Sequence, residues 1–143
     1  MEALMERVDI RHPSTGKVLF AHEELQSPDT GEVRLHPGFA DNLAYLRMVF
    51  GRPMVVTSCC RSAAHNAAIG GHPRSLHVHD RPNHGLAGAA AIDISATDGV
   101  YRRELLRQAL DLGWAVGVSR SFLHLDRRDL VGMTPIVFAY GGK

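Results

Sequence analysis

Three stretches of this sequence carry side chains that could do chemistry together. "SLHVHDRPNH", starting at Ser75, places His77, His79 and His84 within eight residues. "AIDIS" frames a lone acid, Asp93, with Ile92 and Ile94. "FLHLD" alternates Phe122, His124 and Asp126 with Leu123 and Leu125. Successive side chains of a strand point to opposite faces. His124 and Asp126 would therefore project side by side from a strand whose other face is apolar, and Asp93 would point away from its two isoleucines. A carboxylate in such surroundings is costly unless a cation pairs with it. Two kinds of partner are open to it, an arginine such as Arg61 or a metal ion. A His-Asp-His set would give three protein ligands and leave one position for water, the arrangement of a catalytic zinc site. Nine histidines in 143 residues is a high count, and imidazole is the commonest metal ligand.

The elements that must position these groups can be read from periodicity. Residues 1–19 show none and read as a loosely packed lead-in. A short helix is expected at His22–Gln26, followed by a turn at Pro28-Asp29-Thr30-Gly31. Pro37 suits the first position of a helix in which Phe39, Leu43, Leu46 and Phe50 form one apolar face, ended by Gly51 and Pro53. Strands are expected at 54–59 and 90–95, with a short helix over 62–71 between them. Asp98 would cap a helix reaching about Leu112, with Gly113 as its stop. "WAVGVS" and "SFLHLDR" read as a hairpin, and Pro135–Tyr140 as one more strand. Short strands joined by hairpins and helices, without regular βαβ units, indicate one α+β domain over residues 1–143, a small and mostly antiparallel sheet flanked by helices.

Composition excludes several classes of function. A net charge of +1, with no basic run interleaved with aromatics, gives no sign of nucleic-acid binding. No apolar stretch is long enough to span a membrane. "MEALMERVDI" carries acids where a signal peptide would be basic and then apolar, so synthesis in the cytoplasm without a signal peptide is expected. The only two cysteines, Cys59 and Cys60, are adjacent; they are neither a disulfide framework nor a CxxC metal motif, and read as buried small residues. Trp114 reads as a core anchor, His72 as a solvated loop residue, and His12, His22 and His36 as surface or capping residues. Arg102, Arg103 and Arg107 read as a solvated helix face.

Taken in order, Ser58-Cys59-Cys60-Arg61-Ser62, His65-Asn66, Gly70-Gly71, Ser75-Leu76-His77, Ala91-Ile92-Asp93-Ile94 and His124-Leu125-Asp126 resemble the motifs of the M15 peptidases, over about residues 18–128. The resemblance implies a hedgehog-like, D-Ala-D-Ala-peptidase-like α+β fold. It also implies a Zn2+-dependent peptidase acting on peptidoglycan stem or cross-bridge peptides. The subgroup it most resembles occurs in phages and prophages, as endolysins or virion-associated enzymes. Such a protein would act as a monomer on the cell wall after release or virion delivery. Carried over residue by residue, His77, Asp93 and His124 would hold the metal. Arg61 would bind the substrate's carbonyl or carboxylate and assist catalysis, and Ser75 would support substrate binding beside the first ligand.

Two features depart from the family pattern. The first ligand normally stands seven residues before the aspartate. Here that position is Leu86, and His77 lies sixteen residues before Asp93, so Val78–Gly88 contain an insertion. His77 keeps the local Ser-x-His motif, with His79 and His84 as alternatives. Many relatives also carry an acid three residues before the last histidine, where this chain has Ser121. Asp126 could replace it as general base or could only orient His124; His65 and His79 are further candidates. A missing base would instead suit a zinc-binding but inactive wall-binding or virion module.

Overall fold

The computed structural model describes residues 6–82 and 87–141. Strand β1 (Ile10–Arg11) pairs antiparallel with β2 (Val18–Phe20), followed by helices α1 (His22–Leu25) and α2 (Phe39–Phe50). Then come β3 (Val56–Ser58), α3 (Ala63–Ala68), β4 (Ala91–Ser95) and α4 (Gly99–Asp111). The chain closes with β5 (Ala115–Val118), β6 (Phe122–Asp126), a single 3-10 turn at Arg128–Val131 and β7 (Val137–Ala139). The architecture is α+β, as expected from the alternation of elements.

The main sheet has the order β3-β4-β6-β5-β7. Every pairing is antiparallel except that of β5 with β7, which is parallel. Register puts Ser58, Asp93, His124, Gly117 and Phe138 into one row across all five strands. Directly paired residues share a face of the sheet. The neighbouring rows turn Ile92, Ile94, Val116, Leu123 and Leu125 to the other face, where all are fully buried. There α4 packs on β5 and β6, and α2 packs on α4. Phe39 meets Trp114 edge-on at 5.8 Å, which bears out Trp114 as a core residue. The sheet thus has one face committed to the core and one free for the row that contains Asp93.

Local chemistry sets the helix ends near that row. The Ser62 hydroxyl accepts from the His65 amide, and the Asp98 carboxylate from the Tyr101 amide, so α3 and α4 each start on a side-chain cap. Gly51 closes α2 in the left-handed region at φ 71°.

Several sequence expectations need correction. Part of the expected loose lead-in is a hairpin that buries Ile10 and Phe20. Its turn closes through bonds between His12 and Lys17 and between Gly16 and His12, which the short strands concealed. His22 and His36 are buried rather than on the surface. The His22 ring accepts from the Val8 amide at Nδ1 and donates to the Gly31 carbonyl, tying the lead-in to the turn after α1. Arg102 is half-buried; it donates to the carbonyls of Ala96 and Ser119, clamping the end of β4 to the end of β5. Arg103 and Arg107 are exposed as expected.

Gly88 returns the insertion to the sheet. It has φ +101°, and a Cβ there would stand 2.5 Å from the backbone nitrogen of His36. That close approach lets Ala89 bridge to Leu35 and accept from the His36 amide. Gly88→Ala should therefore lower stability by about 2–3 kcal/mol. Urea unfolding would measure this, and an unchanged midpoint would show that the approach is not required.

Candidate metal centre

Each member of the sequence-predicted set is placed by a different element. Asp93 sits mid-β4, and β6 presents His124 directly opposite it. His77 arrives from the loop after α3. Arg61 donates its amide to the His77 carbonyl and accepts from the His79 amide, forming a parallel bridge to Val78. This holds the His77 ring beside the strand end, where Nδ1 donates to the Cys59 carbonyl at 2.6 Å. Cys59 and Cys60 are buried free thiols, as expected. A motif glycine helps hold the loop. A Cβ on Gly71 would lie 2.2 Å from Asn66 Oδ1, and the Asn66 amide donates to the His72 carbonyl.

The result is a cluster of three ligand atoms. Asp93 Oδ1 lies 3.2 Å from His77 Nε2 and 2.9 Å from His124 Nδ1. All three side chains are buried, and their ligand atoms lie within 4.8 Å of one another. Ligand atoms on a tetrahedral ion of zinc's size stand about 3.3 Å apart, so the donor set fits a divalent metal in both chemistry and spacing. Each histidine's second nitrogen is fixed by an oxygen, the Cys59 carbonyl for His77 and Asp126 Oδ2, at 2.8 Å, for His124. Such outer bonds choose the tautomer and aim the ligand nitrogen.

Asp126 has no free oxygen. Oδ2 accepts from His124 and from Arg128 Nη2, while Oδ1 accepts from the Arg128 amide and Nε. That occupancy suits orienting His124 rather than taking a proton from water. Arg61 meets Asp93 Oδ2 at 3.4 Å and is itself held by Ser58 and Asn66. Of the two partners considered for Asp93, the arginine meets one oxygen, and the other oxygen faces the two histidine nitrogens that could share a metal with it. Ser75 accepts from the His77 amide and lines the cleft. His79 is wholly buried and outside the cluster, and its ring nitrogens have no partner among the described residues. His84 and Leu86 lie outside the described residues.

Two cavities meet above the cluster, one of about 700 Å³ and one of about 470 Å³. They share Arg61, Asp93 and Phe122. His72 is exposed and lines the larger one. His65 and Ser121 line the smaller. Arg128, Phe138 and Tyr140, which sequence reasoning did not single out, line the larger. Phe138 and Tyr140 were legible only as part of the expected strand Pro135–Tyr140.

The electrostatics follow from burial and pairing. Burial works against the Asp93 charge, but the two histidine rings outweigh it and hold the carboxyl below the usual range. Burial pushes His77 down. Burial also opposes a charged His124, yet its bonds to Asp126 and Asp93 prevail and raise its pKa to about 9. In the metal-free protein the His124 proton is thus bound more tightly when folded than at the ordinary value of 6.5. Its stabilisation is complete below about pH 6.5 and is lost as pH rises through about 9. Unfolding of metal-free protein across that window should show falling stability; a flat profile would contradict the pairing. Asp126→Asn should weaken zinc binding about 10–100-fold in competition with a chelator, whereas unchanged affinity would deny Asp126 its orienting role.

Among the described residues, no helix is long and apolar enough to cross a membrane. Comparison with curated proteins and with solved structures gives no match. A family model described as Peptidase M15 matches residues 19–126, which runs from within β2 to the end of β6 and contains Arg61, His77, Asp93 and His124. This chain belongs to the Peptidase M15 family.

Proposed function

We propose that this protein is a zinc-dependent peptidase that cuts internal peptide bonds of bacterial peptidoglycan, in the manner of a phage or prophage lytic enzyme. The observation that carries the reading is the convergence of His77 Nε2, Asp93 Oδ1 and His124 Nδ1 beneath an open cleft, with Arg61 beside them. Zinc held by those three atoms would supply Lewis acidity and lower the pKa of bound water. The rest of the work falls to the chain. Arg61, anchored by Ser58 and Asn66, faces both cavities and would stabilise negative charge developing on the substrate's carbonyl oxygen. Asp126 would keep the His124 ring aimed. His65 is our choice of proton acceptor, because it faces the cavity that also holds Ser121, where relatives carry an acid.

Space on both sides of Arg61 and Asp93 supports cleavage within a peptide rather than at its end. A peptide could run from one cavity to the other past the ligand set. The peptidoglycan substrate and the phage setting rest on the sequence resemblance.

Purified protein incubated with peptidoglycan should release peptides, identified by mass spectrometry, and a chelator should stop the release. Asp93→Ala should abolish it. Arg61→Ala and His65→Ala should each lower kcat by about 10²-fold or more with zinc retained. No release from several wall types, despite one bound zinc per chain, would point instead to a wall-binding or virion module.

A further inference from the structure

The matched family region ends at Asp126, yet the chain continues and returns to the site. After the turn at Arg128–Val131 it forms β7, parallel to β5, with Phe138 opposite Gly117. This strand adds little to the core. Val137 and Ala139 are exposed and Phe138 is half-buried. Its contacts instead lead to a metal ligand. The Phe138 and Tyr140 rings lie 5.7 and 6.3 Å from the His124 ring, and Tyr140 also meets Phe122 at 5.3 Å. Gly117 makes this possible. A Cβ there would stand 2.5 Å from Phe138 Cζ and 3.0 Å from Tyr140 Cε2. A glycine inside a strand weakens it and marks a close approach. Here the approach brings aromatic rings over the row that carries His124. Arg128, locked to Asp126, caps the Phe138 ring at 5.4 Å.

The larger cavity is therefore walled on the His124 side by apolar groups left open to solvent: Met133, Ile136 and Tyr140 are 39, 47 and 42% exposed. The smaller cavity, across Arg61 and Phe122, is lined by Pro28 and Ile69 beside the hydroxyl residues Thr57, Ser58, Ser95 and Thr97, and neither Phe138 nor Tyr140 lines it. Solvent-facing apolar surface gathered in a cleft marks a place where a ligand packs. We infer that β7 is a specificity wall, on which Phe138 and Tyr140 hold an apolar residue of the peptide substrate on the His124 side of the bond to be cut. The inference rests on the peptidase reading, and on nothing about which polymer supplies the peptide.

The test uses zinc-loaded full-length protein and two peptide pools, one from digested peptidoglycan and one from a tryptic digest of casein. Cut bonds in whichever pool is cleaved should carry an apolar residue on one flank. Phe138→Ala and Tyr140→Ala should erase that preference and raise KM about tenfold, with kcat within about threefold and zinc content unchanged. Tyr140→Phe, which keeps the ring, should behave like the parent. Tyr140 is exposed, so its replacement serves even if Phe138→Ala fails to fold. An unchanged preference in Tyr140→Ala, or a loss confined to kcat, would overturn the wall. Cleavage of casein peptides alone would defeat the peptidoglycan reading while still scoring the wall. Cleavage of neither pool would overturn both.

Discussion

Asp93 is a carboxylate in the middle of a buried strand, and what surrounds it answers its charge. A buried charge left unpaired costs several kcal/mol. Oδ2 faces the Arg61 guanidinium and Oδ1 faces two imidazoles. Each of these partners needs its own support. Arg61 leans on Ser58 and Asn66, His77 on the Cys59 carbonyl, and His124 on Asp126, which is gripped in turn by Arg128. Satisfying one acid thus fixes eight other polar groups in a single geometry. A divalent ion fits that geometry because it is a cation, and because the nitrogens aimed at Asp93 are ligand nitrogens.

The sheet supplies the rigidity. Ligands on strands are held by ladder bonds as well as by side-chain packing, and sites on regular elements are more precise than sites on loops. Asp93 and His124 are direct neighbours across β4 and β6, and β6 is the central strand of the five. His77, which stands on a loop, compensates by pairing its own backbone with Arg61. The other face of the same strands is fully buried, with α4 packed on β6 and on β5 beside it, so the site is backed by the core.

What could be read from the sequence was what has a period. The alternation in "FLHLD" gave the shared face of His124 and Asp126, and "AIDIS" gave the buried acid. The helices were legible from their apolar spacing and from Asp98 as a cap. The lead-in hairpin was not, because strands of two and three residues are too short to show alternation. The role of Asp126 was open for a different reason. Whether a carboxylate orients or accepts a proton depends on who occupies its oxygens, and Arg128 occupies them through a fork that no spacing announces. The aromatic wall was hidden too. Pro135–Tyr140 was readable as a strand, but its parallel pairing with β5, and hence the meeting of Phe138 with Gly117 and His124, is a tertiary fact.

The Cys59 carbonyl and Asp126 would turn the two histidines toward a bound metal through opposite ring nitrogens. Long-range 15N NMR of the imidazoles, recorded with and without one equivalent of zinc, tests it directly. His77 should bind through Nε2 and stay protonated at Nδ1, while His124 should bind through Nδ1 and stay protonated at Nε2. Zinc that leaves both rings unshifted, or that binds both through the same nitrogen, would contradict it.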